Sequence, residues 1–199
     1  MGCKNMKLIW KGKMTTDNLF IPDNIPDSAK MLSSEKYAWL AYLLVVPILA
    51  IAYAGIVIRR PYVVGIAFNK IAFFIGVGLS IVFLVVHELI HALCCPRDTT
   101  VFVYLTSSGI GCVPACGLKK NRYLLFALMP TIVLGVIPFI IWICFPGMNV
   151  IISSILFAFS IGSLSMCVGD IYNAFLAALK MTRRSVLVTS KTDIYYYNE

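Results

Sequence analysis

Charged residues are scarce in this chain of 199 residues, of which only 13% are Asp, Glu, Lys or Arg. Soluble domains carry about a quarter charged residues and about half apolar residues. Here 60% of the residues are hydrophobic and the mean hydropathy is +0.87. The composition argues against an ordinary soluble domain and predicts a membrane protein.

Two further features are missing. The 7 cysteines are odd in number and several lie in apolar runs, which argues against a secreted disulfide framework. Residues 1–36 contain no apolar stretch typical of a cleavable signal peptide. The net charge is +8, but the basic residues lie between apolar runs and form no stripe. We therefore expect contact with the lipid bilayer and no nucleic-acid partner.

Long apolar runs dominate the rest of the chain. A helix needs ~20 mostly apolar residues to cross a bilayer, and four runs reach that length: 37–58, 67–95, 123–145 and 150–179. We predict an all-α integral membrane fold with four transmembrane helices. Residues 99–117 predict a short cytoplasmic β-hairpin or loop between helices 2 and 3, with its turn at 107–109. Short extended segments are expected at both termini.

The distribution of Lys and Arg predicts the orientation of the spans. Fourteen of the 17 fall in the N-terminal segment, between the second and third runs, or in the tail. Three fall on the other side, and the pair Arg59-Arg60 is the feature that disagrees. The predicted organisation is a cytoplasmic segment over residues 1–36, one four-helix membrane domain over 37–180 and a cytoplasmic tail over 181–199.

The only two histidines stand four residues apart, in His87-Glu88-Leu89-Ile90-His91. On a helix this spacing puts both imidazoles on one face, where they can bind one zinc ion. Glu88 can then act as the general base toward a water that the zinc activates. Buried polar residues, haem ligands and proton-relay groups are the alternatives. Ionisable residues inside a membrane span are costly without a function, which favours a zinc site.

A catalytic zinc usually has three protein ligands, and the third must be a carboxylate or a cysteine. Asp170 is the only other acidic residue inside an apolar run. At 1.5 Å per residue, His87 lies ~15 Å before Arg97 and Asp170 lies ~15 Å before Lys180, so their depths match. Cys167 is the alternative ligand. Asn173, on nearly the same face as Asp170, could bind substrate, orient the aspartate or simply pack.

On these residues the chain resembles the DUF3267 family of bacterial zincin peptidases and is similar in plan to the site-2 proteases. The resemblance rests on the His-Glu-Leu-Ile-His motif late in one span and Gly169-Asp170 in a later span. It implies one catalytic zinc held by His87, His91 and Asp170, with Glu88 as the catalytic base. Site-2 proteases usually carry an Asn-Pro-Asp-Gly-like motif, whereas this chain has Val-Gly-Asp-Ile.

The predicted function is therefore a zinc-dependent intramembrane metalloendopeptidase in the bacterial cytoplasmic membrane, with both termini cytoplasmic. Its partner would be a membrane protein or peptide substrate, held in extended form at an edge strand within 99–117. Two alternatives use the same His and Asp residues: a membrane metal-binding or transport protein, and a non-catalytic membrane scaffold. The first needs a continuous polar path, for which the first and third runs offer almost no polar residues, and the second does not need Glu88.

Overall fold

The computed structural model describes residues 6–22, 25–62, 68–106 and 109–199. Within these ranges it contains two β-sheets with seven strands beside the helices, so the prediction of an all-α fold is wrong. The fold is mixed α and β. Two pairings are local hairpins, β3–β4 (residues 100–114) and β6–β7 (residues 185–198), but the other three join strands that lie far apart in the chain, and such pairing leaves no local signal in the sequence. The helices, in chain order, are a 3₁₀ helix (Glu35–Leu44), α1 (Val45–Arg59), a 3₁₀ turn (Arg60–Tyr62), α2 (Lys70–Val82), α3 (Leu84–Cys94), α4 (Lys120–Pro130), a π-helical turn (Thr131–Val136), α5 (Ile137–Cys144), α6 (Val150–Met166) and α7 (Val168–Lys180).

Three helical segments are long and apolar enough to cross a membrane: Lys36–Tyr62, Lys70–Cys94 and Lys120–Cys144. The second begins at Lys70, and residue 67, where the apolar run starts, lies outside the described residues. α6 and α7 make a fourth candidate only as one span bent by 51°. The described residues thus contain three or four candidate spans, which is compatible with a membrane protein.

The strands lie in the three segments that the sequence predicts to be cytoplasmic. They are β1 (Lys7–Lys13), β2 (Lys30–Ser33), β3 (Thr100–Thr106), β4 (Gly109–Pro114), β5 (Leu118–Lys119), β6 (Ser185–Ser190) and β7 (Asp193–Asn198). In the first sheet β1 pairs in parallel with β3, and β3 and β4 form an antiparallel hairpin. Residues 107 and 108 of the predicted turn lie outside the described residues.

The second sheet has the order β2-β7-β6-β5 and is antiparallel throughout. It joins the N-terminal segment, the segment between the second and third helical spans, and the tail. Leu118 and Leu187 lie opposite each other in this sheet and are almost completely buried. They belong to a core that also contains Ala92 and Ala177, from α3 and α7. The sheet therefore packs against the helices that carry the candidate site.

Small residues let α2 and α6 pack closely. A side chain at Gly76 would collide with the backbone carbonyl of Ile155 and with Ala158, and one at Gly162 would collide with Ser80. Apolar helices have little hydrophobic reason to associate inside a membrane, and close backbone approach at small residues supplies van der Waals contact instead. The contact fixes α6, and hence the junction from which α7 begins.

Arg59 is a structural residue and not a surface charge. Its guanidinium donates to Ser153 Oγ at 2.8 Å and to the backbone carbonyls of Phe145 and Pro146 at 3.3 and 2.9 Å. It also lies over the Trp142 ring at 4.5 Å, and the residue is buried. These contacts join the end of α1 to the turn between α5 and α6. They give Arg59 a role unrelated to membrane orientation, so its position no longer argues against the predicted topology.

Candidate metal centre

The site begins on α3, which starts one residue after a break in the helix at Phe83. Beyond that break the amide of His87 donates to the Phe83 carbonyl at 2.8 Å, so the motif itself is regular helix. His87 and His91 therefore project from the same face, and their Nε2 atoms lie 3.0 Å apart. Both histidines are buried.

Asp170 reaches this pair from the first turn of α7. Its Oδ2 lies 3.0 Å from His87 Nε2 and 3.4 Å from His91 Nε2. The bend at Cys167, three residues before Asp170, breaks the predicted continuous run and starts α7 there. The side chain of Asp170 is 28% exposed, against 7% and 5% for the two histidines. The aspartate is thus the most accessible side of the group.

The three side chains fit a zinc ion. Ligands held 2.0–2.1 Å from a tetrahedral zinc stand roughly 3.3 Å from one another. The three separations here are 3.0, 3.0 and 3.4 Å. Among the described residues this is the group of His, Cys, Asp and Glu side chains that could hold a metal ion. Two imidazoles and a carboxylate are a donor set that suits zinc and leaves a fourth position open.

The tautomer of His91 is fixed by a backbone group. His91 Nδ1 lies 2.8 Å from the carbonyl oxygen of Phe126 on α4. A carbonyl can only accept, so Nδ1 carries the proton and Nε2 presents its lone pair to the site. The Phe126 ring also stacks on the imidazole, with centroids 4.6 Å apart. A metal-binding histidine is commonly oriented in this way through its other nitrogen.

A proline leaves that carbonyl available. In a helix the Phe126 carbonyl would accept the amide of residue 130, but Pro130 has no N–H. The next amide, of Thr131, donates to Leu128 instead. A proline inside a helix is in general a source of a kink. The structure shows that Pro130 stands four residues after the carbonyl that orients His91.

Cys167 lies on the far side of His87 from the other ligands. Its Sγ is 3.6 Å from His87 Nδ1, the ring nitrogen that points away from Asp170. The thiol is completely buried. This placement fits a group that orients His87. It does not favour Cys167 as the third ligand, the alternative considered from the sequence, because the three clustered atoms include Asp170 Oδ2 instead.

Glu88 lies beside the three-residue group without belonging to it. Its Oε1 is 3.9 Å from His87 Nε2, and its side chain is 12% exposed. On its other side, the first sheet contacts α3: Cys112 Sγ on β4 donates to the Glu88 backbone carbonyl at 3.3 Å. Burial and the neighbouring Glu88 carboxylate raise the pKa of the Cys112 thiol, so it stays protonated at neutral pH. Cys112 is a packing and hydrogen-bonding group here.

Asn173 is one turn beyond Asp170 on α7. Within the described part of the chain, its Oδ1 is buried and has no hydrogen-bond partner. A role for Asn173 in binding substrate or orienting the aspartate stays a prediction. Cys95 is buried, and burial raises its pKa to about 12, which suits a structural role.

The fold and site together define a mixed α and β protein with long apolar helices, a His-Glu-x-x-His motif and an aspartate that completes a three-residue group able to hold a metal ion. The chain matches the model of the DUF3267 family, described as "Putative zincin peptidase", over residues 80–185. It belongs to that family, and the match includes the motif helix and Asp170. Searches of curated proteins and of solved structures found no match.

Proposed function

We propose that this protein is a membrane-embedded zinc metallopeptidase that hydrolyses peptide bonds of membrane or membrane-proximal substrates. The family match supports a zinc peptidase at a coarse level. The observation that carries the finer proposal is the position of Glu88, whose carboxylate lies 3.9 Å from His87 Nε2 but outside the group of three candidate ligands. A free carboxylate at the edge of a metal centre is placed to move protons.

His87, His91 and Asp170 would hold the zinc ion. When bound, zinc would acidify a water molecule and polarise the substrate carbonyl. Glu88 accepts the proton of the attacking water and later returns it to the leaving amine, as a general base and then a general acid. The low exposure of Glu88 limits competition from bulk water. The Phe126 carbonyl keeps His91 in the tautomer that leaves Nε2 free.

The pairing of the strands supports the predicted topology. Strands from the N-terminal segment, the 2–3 connection and the tail join in common sheets, so all three segments must lie on one side of any membrane. Two spans separate each segment from the next, which requires the bent pair α6–α7 to cross as one span. Since 14 of 17 basic residues lie on this side, we place it, and both termini, in the cytoplasm. The same proposal includes the predicted organisation of the chain, with a cytoplasmic segment over 1–36, a membrane domain over 37–180 and a cytoplasmic tail over 181–199.

Substrate would reach the site from the cytoplasmic side. β4 is an edge strand of the first sheet and contacts α3 beside Glu88. An edge strand offers unpaired backbone groups that can hold an extended peptide. A substrate helix would have to unwind before such pairing, because its peptide groups are already hydrogen-bonded. The similarity to site-2 proteases stays a prediction.

The decisive variant is Glu88→Gln, with the exposed Glu199→Gln as a matched control. The probe is a library of proteome-derived peptides, incubated with the purified protein in detergent and read by mass spectrometry. We expect Glu88→Gln to keep zinc and to lose cleavage by ~10²–10⁴-fold, whereas Glu199→Gln cleaves normally. Equal cleavage by Glu88→Gln and wild type contradicts the mechanism. Zinc binding without any cleavage by wild type favours the metal-binding or transport alternative.

A further inference from the structure

A cavity of about 260 Å³ lies between α3 and one face of the first sheet. We call it the α3–sheet cavity. Trp10, Val103 and Cys112 stand directly opposite one another on β1, β3 and β4, and all three line it. The remaining lining residues are Leu8, Val85, Glu88, Leu89, Ala92 and Ile110. The cavity is therefore an apolar space with one carboxylate in its wall.

That carboxylate joins the cavity to the metal centre. Glu88 lines the cavity, and its Oε1 is also 3.9 Å from His87 Nε2. An occupant of the cavity would lie against the group that transfers protons in the proposed reaction. Trp10 and Leu8 are 60% and 49% exposed, so the β1 side of the cavity is open to an entering chain.

We propose that the α3–sheet cavity binds the side chain of the substrate residue next to the scissile bond, and that it selects a large aliphatic or aromatic residue there. This inference rests on the proposed peptidase function. The apolar wall strongly disfavours an anionic side chain, which would lose its hydration and would meet only the Glu88 carboxylate. The volume is below the ~300–1,000 Å³ of typical small-molecule pockets, which suits one side chain better than a lipid.

Part of this cavity lies outside the residues that match the family model. Leu8 and Trp10 belong to β1, which lies outside the residues 80–185 that match the family model. β1 reaches the site only because it pairs in parallel with β3, on which Val103 lies. The preference for the substrate side chain that enters the cavity would therefore depend on β1, an N-terminal strand outside the family match.

Hydroxamates test the cavity without a known substrate, because the hydroxamate group chelates zinc while an attached side chain probes the space beside it. The ligands are acetohydroxamate, which has no side chain to probe the cavity, and the hydroxamates of N-acetyl-alanine, N-acetyl-leucine and N-acetyl-aspartate. Their Kd values are measured with zinc-loaded protein in phospholipid nanodiscs. We expect the leucine hydroxamate to bind ~10–100-fold tighter than the alanine hydroxamate. The aspartate hydroxamate should bind no better than acetohydroxamate.

Two variants change the cavity. Val103→Phe fills it and should remove the preference for leucine, while acetohydroxamate binds as before and thereby reports an intact zinc site. Trp10→Ala opens the wall at an exposed position and should reduce the preference about tenfold or more. Ile9→Ala is the matched control, because Ile9 is the exposed neighbour of Trp10 and does not line the cavity.

The outcomes separate the two proposals. If acetohydroxamate fails to bind zinc-loaded wild type, the metallopeptidase proposal fails. If acetohydroxamate binds but leucine and alanine have equal affinities, the cavity does not bind the side chain, as would follow if a lipid chain filled it. A leucine preference that survives both Val103→Phe and Trp10→Ala also overturns the inference.

Discussion

Pro130→Ala should weaken zinc binding although Pro130 touches none of the ligand atoms. The substitution restores a backbone N–H at position 130, and this N–H points at the Phe126 carbonyl four residues earlier. In the wild type, that carbonyl accepts a hydrogen bond from His91 Nδ1 at 2.8 Å. With a competing donor, His91 is held less firmly in the tautomer and orientation that present Nε2 to the metal.

The expected size follows from the geometry. Losing the partner of a metal-binding histidine typically costs 10–100-fold in metal affinity. The Phe126 carbonyl has two lone pairs and can accept from both donors, so we expect the lower end, about tenfold or ~1.4 kcal/mol. Alanine is favoured over proline inside a helix by ~3 kcal/mol, which offsets the packing lost with the buried ring. Zinc affinity should therefore fall while the thermal stability of the zinc-free protein does not.

The assay is a competitive chelator titration of purified protein, run beside thermal unfolding of the zinc-free form. Pro138→Ala is the matched control, since Pro138 lies in the first turn of α5, in the same helical segment and beyond the π-helical turn. It should leave zinc affinity unchanged. Equal zinc affinity for Pro130→Ala and wild type would refute the link between this proline and His91.

Two stability predictions test the packing, both by thermal unfolding in detergent. Arg59→Ala removes the hydrogen bonds to Ser153 Oγ and to the part-buried carbonyls of Phe145 and Pro146 and should destabilise by about 1–3 kcal/mol. The exposed Arg60→Ala should have little effect, and equal shifts would contradict the structural role of Arg59. Gly162→Val collides with Ser80 and should cost about 1–3 kcal/mol. Gly78→Val is its control, because no atom lies within 4 Å of a Cβ there. Equal destabilisation by Gly162→Val and Gly78→Val would contradict the close contact of α2 with α6.

The residues of the candidate site could largely be predicted from the sequence. Their signals are either local or depend only on how deep each residue lies in its predicted span. The four-residue spacing of His87 and His91 needs only a helix to bring the two rings together. Asp170 could be matched to them by counting residues to the basic ends of the two spans. The structure brings these three side chains within 4.8 Å of one another, although their roles as ligands stay predictions.

The hairpin of β3 and β4 falls within the predicted 99–117, but the long-range strand pairings and the finer parts of the site could not be predicted in this way. The pairing of β1 with β3 joins residues 7–13 to 100–105, and nothing within either segment specifies the other. The break at Cys167 depends on how α6 and α7 pack. Pro130 was visible as a helix breaker, but its relation to His91 exists only because α4 lies against α3 in the folded protein.

Zinc content tests the central claim most directly. Wild type and Asp170→Ala are purified in parallel and their zinc per chain is measured, with the exposed Asp98→Ala as a control. The account predicts about one zinc per chain in wild type and in the control, and a large loss of zinc in Asp170→Ala. Equal zinc occupancy in wild type and Asp170→Ala would contradict it.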